Sequence, residues 1–180
     1  MLNKILQWLR DKGENDVMGY RGKIVVVLEG PEKGRRVFET ENIITTAGDV
    51  YYAQRGAGES PTNAFASLHL GSTATPDTGK ASNYGSITPI NDTEKAPSAG
   101  YPKANDTDAD NTGGGTNVVT YKYVYAKADF SHAAITEGII KVAAGADTDP
   151  VLCHFEFVAA FEKTVNDTLT VFVNHTCLGS

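Results

Sequence analysis

Short β-forming runs, each closed by Gly, Pro, Asn or Asp and never alternating regularly with helices, constrain this chain more than any other feature. Lys23 to Glu29, the reversal Gly30-Pro-Glu-Lys-Gly34 and Arg35 to Ile44 predict an opening β-hairpin. Further strands are predicted at Phe65 to Gly71, Val118 to Ala126, Ile135 to Ala143, Val151 to Lys163 and Thr168 to Thr176, with a weaker one at Ser86 to Ile90. Thr45 as a cap and Asp49 in the first turn predict one internal helix over residues 45–55. The expected fold is mainly β: an antiparallel β-sandwich of jelly-roll or immunoglobulin-like kind, occupying residues 22–180. No internal repeat is visible.

Before that body, Leu2, Ile5, Leu6 and Leu9 recur at helical spacing with Trp8 at the edge of the stripe. Residues 1–21 therefore read as a short amphipathic arm and a glycine-containing linker. Too short to be stable alone, the arm must bury its stripe on its own domain or on a neighbouring chain. Residues 91–117 hold almost no aliphatic side chains, so they are expected to form a long polar loop outside the core.

Composition narrows the partners. Sixteen Lys+Arg against twenty-two Asp+Glu in 180 residues give a net charge of −6. With no basic stripe to neutralise phosphates, nucleic acid is not an expected partner. No apolar run approaches the ~20 residues that span a bilayer, and the first ten residues lack the form of a secretory signal, so no membrane association is expected. The Asn-x-Thr sequons at Asn91, Asn105, Asn166 and Asn174 then read as turn and strand-end residues. Cys153 and Cys177 read as reduced thiols, with a single bridge between them left open.

Candidate chemistry is sparse. His69, His132, His154 and His175 never fall at metal-ligand spacing, and no nucleophile elbow, phosphate loop or dinucleotide fingerprint occurs. The run Gly113 to Gly115 reads as a flexible turn. Asp106, Asp108 and Asp110 resemble the first ligands of a calcium loop, but Asn111 replaces the turn glycine and Asn117 the closing Glu. Solvated carboxylates are the simpler reading. Glu137, Glu156 and Glu162 offer no glycosidase pair at fixed spacing. Tyr121, Tyr123 and Tyr125 share one strand face, which suits sheet packing, a subunit contact or a glycan platform. No catalytic residue, cofactor or metal is therefore nominated.

Several stretches carry a resemblance. Glu41-Asn-Ile-Ile-Thr-Thr-Ala-Gly48 leading into a helix, Leu68-His-Leu-Gly-Ser-Thr-Ala-Thr-Pro76, Val119-Thr-Tyr-Lys-Tyr-Val-Tyr125, Ile135-Thr-Glu-Gly-Ile139 and Asp167-Thr-Leu-Thr-Val-Phe-Val173 together resemble small virion structural proteins of tailed bacteriophages. The likeness spans residues 22–176 and implies a virion component assembled in the bacterial host cytoplasm. Such proteins decorate capsids or belong to tail fibres and baseplates. The chain lacks the heptads and shaft repeats of a fibre, which favours a capsid decoration or cement protein. Its implied partners are the major capsid protein and copies of itself. The expected contact residues are Leu2, Ile5, Leu6, Trp8, Leu9, Tyr121, Tyr123 and Tyr125. Under the tail or baseplate alternative, the loop 91–117 and the tyrosine face would touch a host glycan.

Overall fold

A computed structural model describes residues 20–142, 146 and 148–177. The expected N-terminal helix lies outside these residues. The strands are β1 (Tyr20–Gly30), β2 (Gly34–Ile44), β3 (Phe65–Gly71), β4 (Lys103–Ala104), β5 (Val118–Tyr125), β6 (His132–Val142), β7 (Val151–Lys163) and β8 (Thr168–Cys177). All pairings are antiparallel, in the order β3-β6-β7-β2-β1-β8-β5-β4. The mainly β antiparallel fold with one internal helix is thus present, but the architecture differs from the expected sandwich: there is a single sheet, curled into a half-barrel.

Curling lets one sheet enclose its own core. Alternate residues Ile24, Val26 and Leu28 of β1, Leu169, Val171 and Val173 of β8, and Tyr121, Tyr123 and Tyr125 of β5 all point to the concave side and are buried. Phe155 lies across Gly138 of β6, where an added Cβ would stand 2.4 Å from its ring. The helix α1 (Thr46–Gly56) covers one end of the curl. Its cap is Thr45, whose hydroxyl accepts from the Gly48 amide at 3.1 Å, with Asp49 in the first turn and Arg55 in the last, as the macrodipole favours.

The expected weak strand at Ser86 to Ile90 is instead a 3-10 turn at Tyr84–Ser86 followed by an isolated bridge from Pro89 to Gly71. The polar segment also departs from expectation. Lys95 exchanges two backbone hydrogen bonds with Leu68 on the outer edge of β3, and the Ser98 amide donates to the Lys122 carbonyl of β5. Residues 93–98 therefore run between the two sides of the curl. Thr93 is fully buried at this seam: its hydroxyl accepts from the Leu70 amide at 3.1 Å and donates towards the Ile90 carbonyl at 2.7 Å, while its own carbonyl accepts from Tyr125 Oη at 2.6 Å. Low aliphatic content misled the sequence reading because this segment contributes hydrogen bonds to the core boundary rather than apolar area.

Thr93→Val, which keeps the shape and deletes the hydroxyl, should lower unfolding free energy by about 1–3 kcal/mol in urea titrations. Unchanged stability would show that the seam does not close the fold. Tyr123 Oη is buried with no hydrogen-bond partner among the described residues, so Tyr123→Phe should be neutral or stabilising by about 1 kcal/mol in the same assay.

Candidate functional site

The convex face is covered at two places. Over β6 and β7 lies the segment 72–90, where Ile87 and half-buried Tyr84 pack on Ile139 and Val151. The same cover is pinned by a polar row. Ser82 Oγ lies 3.0 Å from His154 Nδ1, and His154 Nε2 lies 3.0 Å from Glu137 Oε2, whose other oxygen accepts from the Thr73 amide. Glu137 and His154 are cross-strand neighbours of one face, both fully buried. Burial pushes the Glu137 carboxyl up, but the hydrogen bonds from His154 and Thr73 outweigh it and hold the group below its ordinary value.

Serine, histidine and carboxylate in this order occur in nucleophilic triads. Here the row ends differently. The Ser82 hydroxyl also accepts from the Gly79 amide within its own turn, and the imidazole is shut away from solvent. Its evident action is to tie three distant segments together. Sequence reading missed the row because residues 82, 137 and 154 are joined only by the cover folding back.

Over β1, β8 and β5 lies a second cover, residues 105–114, shielding Val25, Val27 and Phe172. Asn111 and Asn174 exchange two side-chain hydrogen bonds at 2.8 and 2.9 Å. Gly113 and Gly114 are sites of close approach rather than a loose turn: a Cβ at Gly113 would stand 2.5 Å from Asn174 Nδ2, and one at Gly114 2.6 Å from the Asp106 carbonyl. The three aspartates do not converge on a common point. Asp106 is buried and takes Tyr101 Oη, Asn111 Nδ2 and Lys103 Nζ; Asp108 takes Lys122 Nζ at 2.6 Å; Asp110 takes Arg35 at 2.7 Å. They are neither free in solvent nor poised as a ligand set. The Lys122 ammonium holds Asp108 below the usual carboxylate range.

Inside the curl, His175 joins α1 to the sheet. Asn42 Nδ2 donates to its Nε2 at 2.8 Å, so the ring proton sits on Nδ1 and faces Tyr52 Oη at 2.5 Å, which in turn meets Tyr121 Oη at 3.4 Å. Burial drives the His175 pKa down to about 3. His69 contacts Tyr84 Oη and the Ile90 carbonyl, and His132 Nδ1 accepts from the Ala134 amide. Among the described residues no cluster of three or more His, Cys, Asp or Glu is placed to hold a metal, and no helix is long and apolar enough to cross a membrane. Cys153 is buried and Cys177 exposed, both as free thiols. Of the sequons, Asn91, Asn105 and Asn166 lie in turns or bends, whereas Asn174 is buried within β8.

The predicted contact residues divide. Leu2, Ile5, Leu6, Trp8 and Leu9 lie outside the described residues. Tyr121, Tyr123 and Tyr125 are at most 1% exposed, which corrects their reading as a partner or glycan surface: they fill the chain's own core. A surface that sequence reading did not find lies between the two covers. There β2 and β7 pair only from Asn42 to Ile44 with Cys153 to Phe155, then separate. Between the pairs Glu137 with Glu156 and Ile135 with Phe161, β6 advances two residues and β7 five, so Phe157 to Ala160 bulge out. Phe157 and Phe161 turn inward, leaving Val158 92% exposed beside a groove of about 380 Å³ lined by Glu41, Ile43, Thr78, Glu156 and Phe157.

Compared with protein-family models, with curated proteins and with solved structures, the chain matches none.

His175 predicts an acid limb. Its folded pKa is lowered, so between pH 6.5 and about 3 the unfolded chain binds one more proton than the folded one, and stability present above pH 6.5 is lost as pH falls. Relative to His175→Gln, the parent protein should lose about 2 kcal/mol more between pH 6.5 and 4.5, the slope approaching about 1.4 kcal/mol per pH unit only once pH is well below 6.5. Parallel acid limbs in urea titrations would refute this role.

Proposed function

We propose that this protein is a structural component of a tailed-bacteriophage virion, a capsid decoration or cement protein that reinforces the head through protein–protein contacts. The supporting observation is how the chain disposes of its sheet. Residues 93–98 and the two covers occupy the flanks and much of the convex face, so open-ended strand addition is suppressed while a limited contact surface stays free. Defined, self-limiting association is what a repeating shell requires. The N-terminal arm, expected from sequence as an amphipathic helix over residues 2–11, would supply a second contact element, and burying its stripe on a neighbouring subunit would contribute several kcal/mol at roughly 25 cal/mol per Å² before ordering costs.

The tail or baseplate reading is less well supported. Its two proposed glycan contacts are engaged inside the fold: the tyrosines are core, and Thr93, Asp106 and Asn111 of the polar segment are buried in internal hydrogen bonds.

Quantitative mass spectrometry of purified virions tests the proposal: the protein should appear in stoichiometric proportion to the major capsid protein. A few copies per particle would place it in the tail, and absence would end the virion reading. Full-length protein carrying Ile5→Asp and Leu9→Asp should fold normally by circular dichroism and decorate capsids poorly; undiminished occupancy would remove the arm as anchor.

A further inference from the structure

The β2/β7 groove is also the place where the chain's own beginning can be stored. We propose that, in the free protein, residues 2–9 of the arm seat in this groove of their own chain, with the Leu2, Ile5, Leu6 and Leu9 stripe over Ile43 and the Val158 flap. The inference uses the arm of the proposed function but not its place in a virion.

Three observations converge. First, the flap is an unusual surface: Val158 is 92% exposed and is followed by exposed Ala159 and Ala160, on a bulge that β6 cannot pair. Second, the charges are complementary. Glu41 and Glu156 rim the groove and make it acidic, and among the described residues no Lys or Arg forms an ion pair with either. Residues 1–10 contain Lys4 and Arg10 and no acidic side chain. Third, the connection is short. β1 begins at Tyr20, and Gly22 lies directly opposite Asn42 at the groove's edge. One strand spacing of ~4.8 Å separates them, while the seven residues 13–19 reach up to about 24 Å. A tether of that length holds the arm at a high local concentration over its own groove, which favours it over the arm of a second copy in dilute solution.

The single tryptophan of the chain, Trp8, reports on the seat. In full-length protein its emission should be blue-shifted and protected from acrylamide. Val158→Asp should shift it to the red and expose it, with the far-ultraviolet spectrum of the body unchanged. Raised salt should act in the same direction, more weakly, through Lys4 and Arg10. Independently, Leu9→Cys with Val158→Cys in a Cys177→Ser background should oxidise to a disulfide within single chains at dilute concentration. A control pairing Leu9→Cys with Val50→Cys, exposed on α1, should not. Emission unaffected by Val158→Asp, together with crosslinking no greater than the control, would overturn the proposal, as would crosslinks found only between chains. None of these readouts depends on virion copy number, so the two proposals fail separately.

Discussion

A lone antiparallel sheet has two faces and two edges, and this chain must cover them without a second layer. Everything else in the structure follows from that constraint. Curling the sheet brings Ile24, Val171, Tyr123 and Phe155 around one core, but it leaves β3 and β5 to be joined. The seam at Thr93 does this with a hydroxyl and a carbonyl rather than with side-chain bulk. A buried hydrogen bond adds little net stability, yet leaving its partners unpaired is costly. The segment is thus held in one arrangement by what every alternative would leave unsatisfied.

The same logic recurs at each buried polar group. Lys163 is fully buried, and its ammonium donates to the carbonyls of Lys127, Phe130 and Thr164 while lying 4.8 Å from the Phe130 ring. It ties the β5–β6 turn to the end of β7, and desolvation lowers its pKa even with Asp129 and Asp167 near. His154 with Glu137, Asn111 with Asn174 and His175 with Asn42 each link segments far apart in sequence. Such links contribute specificity of arrangement more than net free energy. They explain how a chain with long polar excursions reaches one folded form.

The strands were legible in the sequence because alternation is local. Val119, Tyr121, Tyr123 and Tyr125 announce one face of β5 without reference to anything else, and Thr45 with Asp49 announces the start of α1. What alternation does not carry is where that face goes. A period-two strand suits a sandwich as well as a curl, and the difference lies in hydrogen bonds such as Leu68 with Lys95, between residues with no distinctive local pattern. The polar segment was hidden for the same reason. Thr93, Asp106 and Asn111 have the composition of a solvated loop, and only their distant partners reveal that they are buried. The Ser82–His154–Glu137 row gave no signal at all, since its spacing follows from a cover folding back rather than from a helix or strand period. For the candidate contact surface, alternation even pointed the wrong way: β7 reads as one regular strand, and the bulge at Val158 shows only through its register with β6.

That bulge also explains why the convex face stays open at this place. Three additional residues in β7 cannot be matched by β6, and they push the strand away from β2 just beyond Phe155. The gap is closed from within by Phe38, Phe157 and Phe161, with Phe38 and Phe161 stacked at 4.8 Å. From the same face of β2, Thr40 Oγ1 donates to the Glu156 carbonyl at 2.7 Å and Arg36 to that of Glu162, so side chains replace part of the missing ladder. Neither cover extends across it: the first is held at Thr73 and Ser82, the second at Glu39 and Arg35. An apolar tip between two carboxylates that meet no Lys or Arg among the described residues is therefore a product of strand register, built into the sheet itself rather than left over from an incomplete surface.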